Sequence, residues 1–296
     1  MPELPDVLVC GVGGALGEAW MRGLLNGMAD GAGLDFRRCE HFVGSSAGSI
    51  VTAVLAAGQR PDAGARAASA WGAAAGEAPE PVPDSTLVRA AARAAGRAGA
   101  AVLTPVVPLA LAAAAPGGAL MRAAALRAVP RGSQDLDRLG ELMDGLGSRF
   151  DGRLRIAAVD RARGRRVLFG APGAPSARVC EAVLASCAVP AVFPPVRIGG
   201  REYVDGGVWS PTNLDAAPAG RGTRVLCLAP TAASRALRAP TLAAVKTETL
   251  ALRARGADVE LIVPDTASAA AMSGSLMDGR HRAAVLAAGY AQGRRA

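Results

Sequence analysis

Residues 39–57 read CEHFVGSSAGSIVTAVLAA, and this stretch decides the fold class. Residues 39–43 form a short apolar run typical of a buried strand, residues 44–48 a glycine turn, and residues 49–57 an apolar run of helical length. A strand that enters a helix through such a turn is typical of a parallel sheet covered by helices. The pattern therefore predicts a strand–turn–helix unit here.

The same plan occurs once earlier in the chain. Residues 7–10 are apolar, a glycine-rich loop follows at 11–17, and apolar side chains recur at helical spacing over 18–29. Two such units in succession favour an α/β fold. Beyond the middle of the chain, the patterns predict further strands at 153–160, 166–169, 196–198, 202–204, 223–228 and 259–263, and helices at 179–188, 242–255 and 280–292.

The middle of the chain, residues 61–149, is rich in alanine and shows no clear strand pattern. We interpret residues 5–296 as one domain, with its core at 5–60 and 150–296 and a helical, lid-like insert at 61–149. No charged residue occurs between Arg97 and Arg122, but three prolines interrupt this stretch and disfavour a membrane span. We expect residues 98–121 to form either an apolar cover or a helix hairpin packed on the domain.

Composition narrows the classes of partner. The net charge of +8 could favour anionic lipid surfaces or acidic substrates. The arginines are spread along the chain without a basic arm, so a nucleic-acid partner has little support. The five cysteines form no C-x-x-C pair, and residues 1–6 lack a basic leader region. These features predict reduced core cysteines and a cytoplasmic location, with peripheral membrane contact left open.

Two short motifs carry the candidate chemistry. Gly44-Ser45-Ser46-Ala47-Gly48 has the G-x-S-x-G form of a nucleophile turn, in which the serine stands at a helix N-terminus. Asp205-Gly206-Gly207, 159 residues later, is a carboxylate at a tight turn. The chain has two histidines, His41 and His281, so a Ser-His-Asp arrangement has few ways to form. The pair Ser46 and Asp205 therefore suggests a serine hydrolase with an aspartate base.

A longer run supports this interpretation through a resemblance. Residues 185–214, ASCAVPAVFPPVRIGGREYVDGGVWSPTNL, resemble the block of the patatin-like phospholipase family that holds the catalytic aspartate. An Ala-Ser turn and a Phe-Pro-Pro segment precede a hairpin that ends in Asp-Gly-Gly, and an asparagine follows, here Asn213. The region 43–50 and the N-terminal glycine loop are similar to the same family. The resemblance covers residues 7–58 and 153–293.

The resemblance implies a three-layer patatin-like fold of the bacterial type, with a mainly parallel central sheet flanked by helices. It also implies a Ser-Asp dyad acyl hydrolase that acts on a lipid or acyl-ester substrate, as a phospholipase, lysophospholipase or esterase. We expect no cofactor, and no metal, because the two histidines are too few for a usual metal site and the cysteines lack zinc spacing. Ser46 would be the nucleophile, Asp205 the base, and Gly13 and Gly14 the oxyanion donors. The glycines that support these motifs are Gly11, Gly17, Gly44, Gly48, Gly206 and Gly207. The oligomeric state stays open.

The glycine loop departs from the family pattern. Val12 and Leu16 stand where a glycine and a basic residue are usual, which puts the oxyanion geometry in doubt; our hypothesis is that Leu16 tunes the site away from phospholipid turnover. A catalytically weak or inactive lipid-binding or regulatory protein is therefore the alternative. A dinucleotide turn at 11–16 is disfavoured because its last position is not glycine. A His281 base is disfavoured because an arginine-rich helical segment surrounds it.

Overall fold

The computed structural model describes residues 3–61, 118–274 and 276–296. The strands are β1 (Val7–Cys10), β2 (His41–Ser45), β3 (Leu154–Asp160), β4 (Arg165–Phe169), β5 (Val196–Ile198), β6 (Arg201–Asp205), β7 (Arg224–Leu228) and β8 (Asp258–Ile262). The helices are α1 (Gly14–Ala32), α2 (Ala47–Ala56), α3 (Gly118–Ala128), α4 (Asp137–Gly145), α5 (Val179–Cys187), α6 (Arg235–Arg253), α7 (Thr266–Ala271) and α8 (Arg282–Gly293).

These strands form one sheet in the order β5-β6-β3-β2-β1-β7-β8, and β4 also pairs with β3. The five strands β3, β2, β1, β7 and β8 are parallel, whereas β4, β5 and β6 add antiparallel pairs at one end. The predicted α/β class with a mainly parallel sheet is confirmed.

Helices cover both faces of this sheet, because the strands alternate buried side chains between two hydrophobic clusters. Leu8 and Cys10 of β1 join the cluster that contains apolar residues of α1, α2 and α5. Val7 and Val9 point the other way and pack with residues of α6. On that second face, Leu126 of α3 packs against β3 and β6. The predicted three-layer arrangement is confirmed.

The first and last helices touch through their backbones. A Cβ atom on Gly27 of α1 would lie 2.2 Å from the Tyr290 carbonyl oxygen of α8, and one on Gly293 would lie 2.1 Å from the Leu24 carbonyl oxygen. Glycines therefore permit this close packing from both sides. The sequence patterns predicted both helices but not their pairing.

Two elements differ from the sequence predictions. Helix α6 begins at Arg235 and contains Pro240, whereas the prediction began at residue 242, after the proline. Leu237 and Thr241 are both buried on this helix, and their packing offsets the backbone hydrogen bond that the proline removes. Helix α7 was missed; its N-terminus is capped by Asp265, whose side chain accepts a hydrogen bond from the Ser268 N–H.

The insert is described in part. Helices α3 and α4 belong to it, and residues 62–117 lie outside the described residues, as does nearly all of the uncharged stretch 98–121. The domain boundaries and the apolar cover remain predictions. Within the described ranges, no helix has both the length and the hydrophobicity to cross a bilayer. All five cysteines are buried and free.

We expect the α1–α8 contact to be sensitive to a single methyl group. Gly27→Ala should lower the free energy of unfolding by about 1–3 kcal/mol, because the new methyl group meets backbone that moves only with the whole helix. Gly31→Ala is the matched control, since the nearest atom to its Cβ position is 3.6 Å away. Alanine's higher helix propensity should make that change neutral or stabilising by up to about 1 kcal/mol. Equal losses in urea unfolding experiments would contradict the packing argument.

Candidate active site

Two strand ends meet along one edge of β3. The last residue of β2, Ser45, pairs with Ala157, and the last residue of β6, Asp205, pairs with the next residue, Ala158. Strand β4 pairs with β3 along both of these stretches. Because a strand has two edges and β4 occupies one, β2 and β6 share the other. Their C-terminal ends therefore meet, and Ser46 and Asp205 come together.

Ser46 makes the turn between β2 and α2. Its backbone has φ 51° and ψ −122°, a left-handed conformation that costs a non-glycine residue energy and occurs often at functional sites. This places the side chain at the N-terminus of α2, as a nucleophile turn requires. Gly48 allows the helix to approach β1, because a Cβ there would lie 1.9 Å from the Cys10 carbonyl oxygen.

Asp205 is a buried carboxyl group, 2% exposed. Its Oδ1 accepts a hydrogen bond of 2.7 Å from the Gly207 N–H. Its Oδ2 is buried and has no partner of ordinary hydrogen-bond geometry in the described part of the chain. Burial raises the pKa of Asp205 to about 7, and the neighbouring Ser46 side chain and the Gly207 N–H lower that pKa in part. The carboxyl group is thus poised to exchange a proton near neutral pH.

The glycine loop between β1 and α1 presents backbone N–H groups. The Val12 N–H donates to the Pro211 carbonyl oxygen, so it is already used. Gly13 precedes α1 and Gly14, with φ 62°, begins it. Neither N–H donates to a backbone acceptor within the described loops and turns. Helix-start N–H groups lack intrahelical partners, so Gly13 and Gly14 stay our predicted oxyanion donors.

The predicted supporting glycines lie at close backbone or side-chain approaches. A Cβ atom added to any of them would lie within 3.0 Å of a neighbouring atom. The contacts are Gly11 to Pro211 O (2.7 Å), Gly17 to Pro230 Cβ (3.0 Å), Gly44 to Thr52 Oγ1 (2.2 Å), Gly206 to Ala157 O (2.4 Å) and Gly207 to Val12 Cγ1 (2.9 Å). Gly44 therefore lets the Ser46 turn close against α2, and Gly206 and Gly207 let the turn after Asp205 pack against β3 and the glycine loop.

Leu16 lies in the hydrophobic core. Its side chain is fully buried in the main hydrophobic cluster, and its N–H donates to the Leu276 carbonyl oxygen. Burial favours a packing role for this side chain, and the hypothesis that Leu16 tunes the site away from phospholipid turnover stays a prediction. Val12 does lie near the dyad, because its Cγ1 packs beside Gly207.

Sequence reasoning assigned no role to Asn213, which connects the two motifs. Its Nδ2 donates to the Ser45 hydroxyl at 2.9 Å, to Gly206 O at 3.2 Å and to Ser210 O at 3.0 Å. Asn213 is completely buried and has φ 52°. It ties the residue before the nucleophile to the residue after the aspartate. Its place shortly after Asp-Gly-Gly was the available sequence signal.

The histidines lie away from this arrangement. His41 begins β2, at the end of the strand opposite Ser45, and His281 is exposed before α8. In the described ranges, no group of three or more His, Cys, Asp or Glu side chains could hold a metal ion. Metal independence remains a prediction.

Comparison with known proteins identifies the family. A family model described as patatin-like phospholipase matches residues 8–218, well over half of the chain. A search of curated proteins finds no significant match. Among solved structures, the chain is similar to VipD from Legionella pneumophila, with 14% identity and a TM-score of 0.47. That match covers 99% of this chain and 66% of VipD, so the chain spans slightly less than two thirds of VipD's length.

The raised pKa of Asp205 predicts a pH-dependent cost in stability. The unfolded carboxyl group loses its proton near pH 4, whereas the folded one keeps it to about pH 7. The stability that the neutral group contributes is therefore complete below pH 4 and is lost as pH rises through 7. Between pH 5 and pH 8, wild type should lose about 3 kcal/mol relative to Asp205→Asn. Parallel pH dependences in urea unfolding would contradict this.

Proposed function

Because the chain belongs to the patatin-like phospholipase family, we propose that it hydrolyses lipid acyl esters with Ser46 as nucleophile and Asp205 as general base. The family supports lipid acyl hydrolase activity in general. One observation carries the assignment of residues: β2 and β6 end side by side on β3 and bring a strained serine to a buried carboxyl group. Nucleophilic catalysis requires this kind of adjacency.

The proposed reaction has two halves. Ser46 Oγ attacks the ester carbonyl carbon while the Asp205 carboxylate takes the hydroxyl proton. The tetrahedral oxyanion accepts hydrogen bonds from the Gly13 and Gly14 N–H groups. As the intermediate collapses, the ester C–O bond breaks and the leaving alcohol receives the proton from Asp205. Water then attacks the acyl-enzyme while Asp205 takes its proton. As the bond between the acyl carbon and Ser46 Oγ breaks, Asp205 returns that proton to Ser46 Oγ and the fatty acid leaves.

Burial makes Asp205 a useful base. A carboxylate of ordinary pKa, near 4, holds a proton too weakly to accept one readily from a serine hydroxyl. The pKa near 7 in this site increases that basicity and still leaves about half the enzyme ionised at neutral pH. The unpartnered Oδ2 is the acceptor atom available for the Ser46 proton.

A lipid substrate and peripheral membrane contact have support from the insert and the charge. Leu120 and Met121 of α3, where the described part of the insert begins, are 85% and 64% exposed. The net charge of +8 would attract an anionic lipid surface. We propose a cytoplasmic enzyme that meets its substrate at a membrane surface, with phospholipids, lysophospholipids and simpler esters all as candidates.

The alternative is a lipid-binding protein that kept the fold. The altered glycine loop favours it, since Val12 replaces a glycine beside the predicted oxyanion donors. Ser46 and a proton-exchanging Asp205 favour catalysis, because a binding protein needs neither backbone strain nor a buried carboxyl group. Covalent labelling of Ser46 by a fluorophosphonate probe separates the two, since well-folded protein without label would support the binding protein.

We expect Ser46 and Asp205 to act as a unit. Ser46→Ala and Asp205→Asn should each reduce kcat for a nitrophenyl ester by about 1,000-fold or more, and the double variant should be little worse. His281→Ala is the control and should keep wild-type kcat, because that side chain is exposed and outside the dyad. A His281→Ala loss as large as that of Asp205→Asn would reject the dyad.

The rate should also report the protonation of Asp205. Because the base must be ionised, kcat/KM should rise with pH and level off above a midpoint near pH 7. A stopped assay with a neutral ester from pH 5 to pH 9 measures this. A midpoint near pH 4 would contradict the raised pKa of Asp205, because an aspartate base of ordinary pKa gives that profile.

A further inference from the structure

The hydrogen-bond ladder between β2 and β3 ends where the nucleophile begins. Ser45 is the last residue of β2 in register with β3, opposite Ala157. At Ser46 the chain turns away with a positive φ, so its N–H leaves the ladder. A buried backbone N–H without a partner is costly, and so is an unpartnered buried carbonyl group. The Ser46 N–H and the Ala157 carbonyl group therefore both need another partner.

The Ser186 hydroxyl supplies it. Its Oγ accepts a 2.8 Å hydrogen bond from the Ser46 N–H and donates a 2.7 Å hydrogen bond to the Ala157 carbonyl oxygen. Ser186 and Ala157 are 0% exposed, and Ser46 is 3% exposed. One side-chain hydroxyl therefore bridges two backbone groups at the point where β2 leaves the sheet.

The same segment also holds the other member of the dyad. Ser186 lies in the last turn of α5, and Ala188 follows that helix directly. The Asp205 N–H donates a 3.0 Å hydrogen bond to the Ala188 carbonyl oxygen. Residues 186–188 thus bind the backbone N–H groups of Ser46 and Asp205, which lie far from one another in sequence. The distance between these two acceptors, Ser186 Oγ and the Ala188 carbonyl oxygen, sets the separation of the nucleophile and the base.

From these contacts, and resting on the proposed function, we propose that Ser186 is a positioning residue for the hydrolysis reaction. Its two hydrogen bonds go to the backbone of Ser46 and Ala157, so it acts through the Ser46 backbone. It holds the Ser46 backbone in the strained turn that aims the hydroxyl at Asp205. Without the hydroxyl, the Ser46 N–H loses its partner and the turn relaxes, and a displacement of about 1 Å can cost about 100-fold in rate.

The test compares Ser186→Ala with Ser268→Ala. Ser268 is also 0% exposed and hydrogen-bonded, to Gln292 Oε1 at 2.9 Å, but it lies in α7 and contacts neither dyad residue. For Ser186→Ala we expect kcat on a nitrophenyl ester to fall by about 10- to 100-fold. KM should change by less than about threefold. The midpoint of the kcat/KM–pH profile should move upward from about 7, because the displaced Ser46 hydroxyl no longer lowers the pKa of the buried Asp205. Ser268→Ala should keep wild-type kcat even if its Tm falls.

The rate of fluorophosphonate labelling gives a second readout that does not depend on substrate binding, and it should fall in parallel with kcat. Ser186→Cys, whose thiol is a weaker donor and acceptor, should lie between wild type and Ser186→Ala. If Ser186→Ala does not fold, Ser186→Cys serves as the test of the positioning role. Wild-type kcat and labelling in a folded Ser186 variant would overturn the positioning role alone. Absence of both labelling and hydrolysis in wild type would overturn the proposed function itself, and the positioning role with it.

Discussion

The shared edge of β3 is the constraint on which the rest of the site depends. The parallel strand β2 ends opposite Ala157, and the antiparallel strand β6 ends opposite the next residue, Ala158. Neither strand can continue along this edge, so both chains turn away from the sheet there. The space at the junction excludes side chains, as Gly206 shows, because a Cβ there would meet the Ala157 carbonyl oxygen at 2.4 Å. The register of the sheet therefore brings Ser46 close to Asp205. The turns that carry these two residues are short and are held by the surrounding backbone.

Two features of the site are energetically unfavourable, and the rest of the fold must offset them. Ser46 occupies a conformation that strains its backbone, and Asp205 is a buried ionisable carboxyl group with one hydrogen bond to Oδ1. Buried hydrogen bonds around both residues compensate for this cost. Such sites commonly lower overall stability in exchange for reactivity. The raised pKa of Asp205 can be measured, and it reports both the energetic cost of burying the carboxylate and its greater strength as a base.

The loop after Asp205 is anchored from outside the dyad. Asn213 accepts a hydrogen bond from Arg166, whose guanidinium also forms two short hydrogen bonds with Asp215. Glu248 of α6 accepts hydrogen bonds from the Thr212 hydroxyl and the Leu214 N–H, and burial raises its pKa. The helix on the second face of the sheet thereby fixes the loop that carries Asn213, and Asn213 fixes both motifs.

The sequence by itself determined the local units and the identity of the dyad candidates. Strand and helix periodicity depends on neighbouring residues, so the parallel strands and most helices could be predicted, and the turn motifs singled out Ser46 and Asp205. Tertiary structure decided the roles of Ser186 and Asn213, the burial of Leu16, the α1–α8 contact and the pKa of Asp205. These depend on groups far apart in sequence: Ser46 and Ser186 are 140 positions apart, and Asn213 and Ser45 are 168 apart. Neither hydrogen-bond geometry nor desolvation is encoded in a local pattern, because both arise when distant segments pack together.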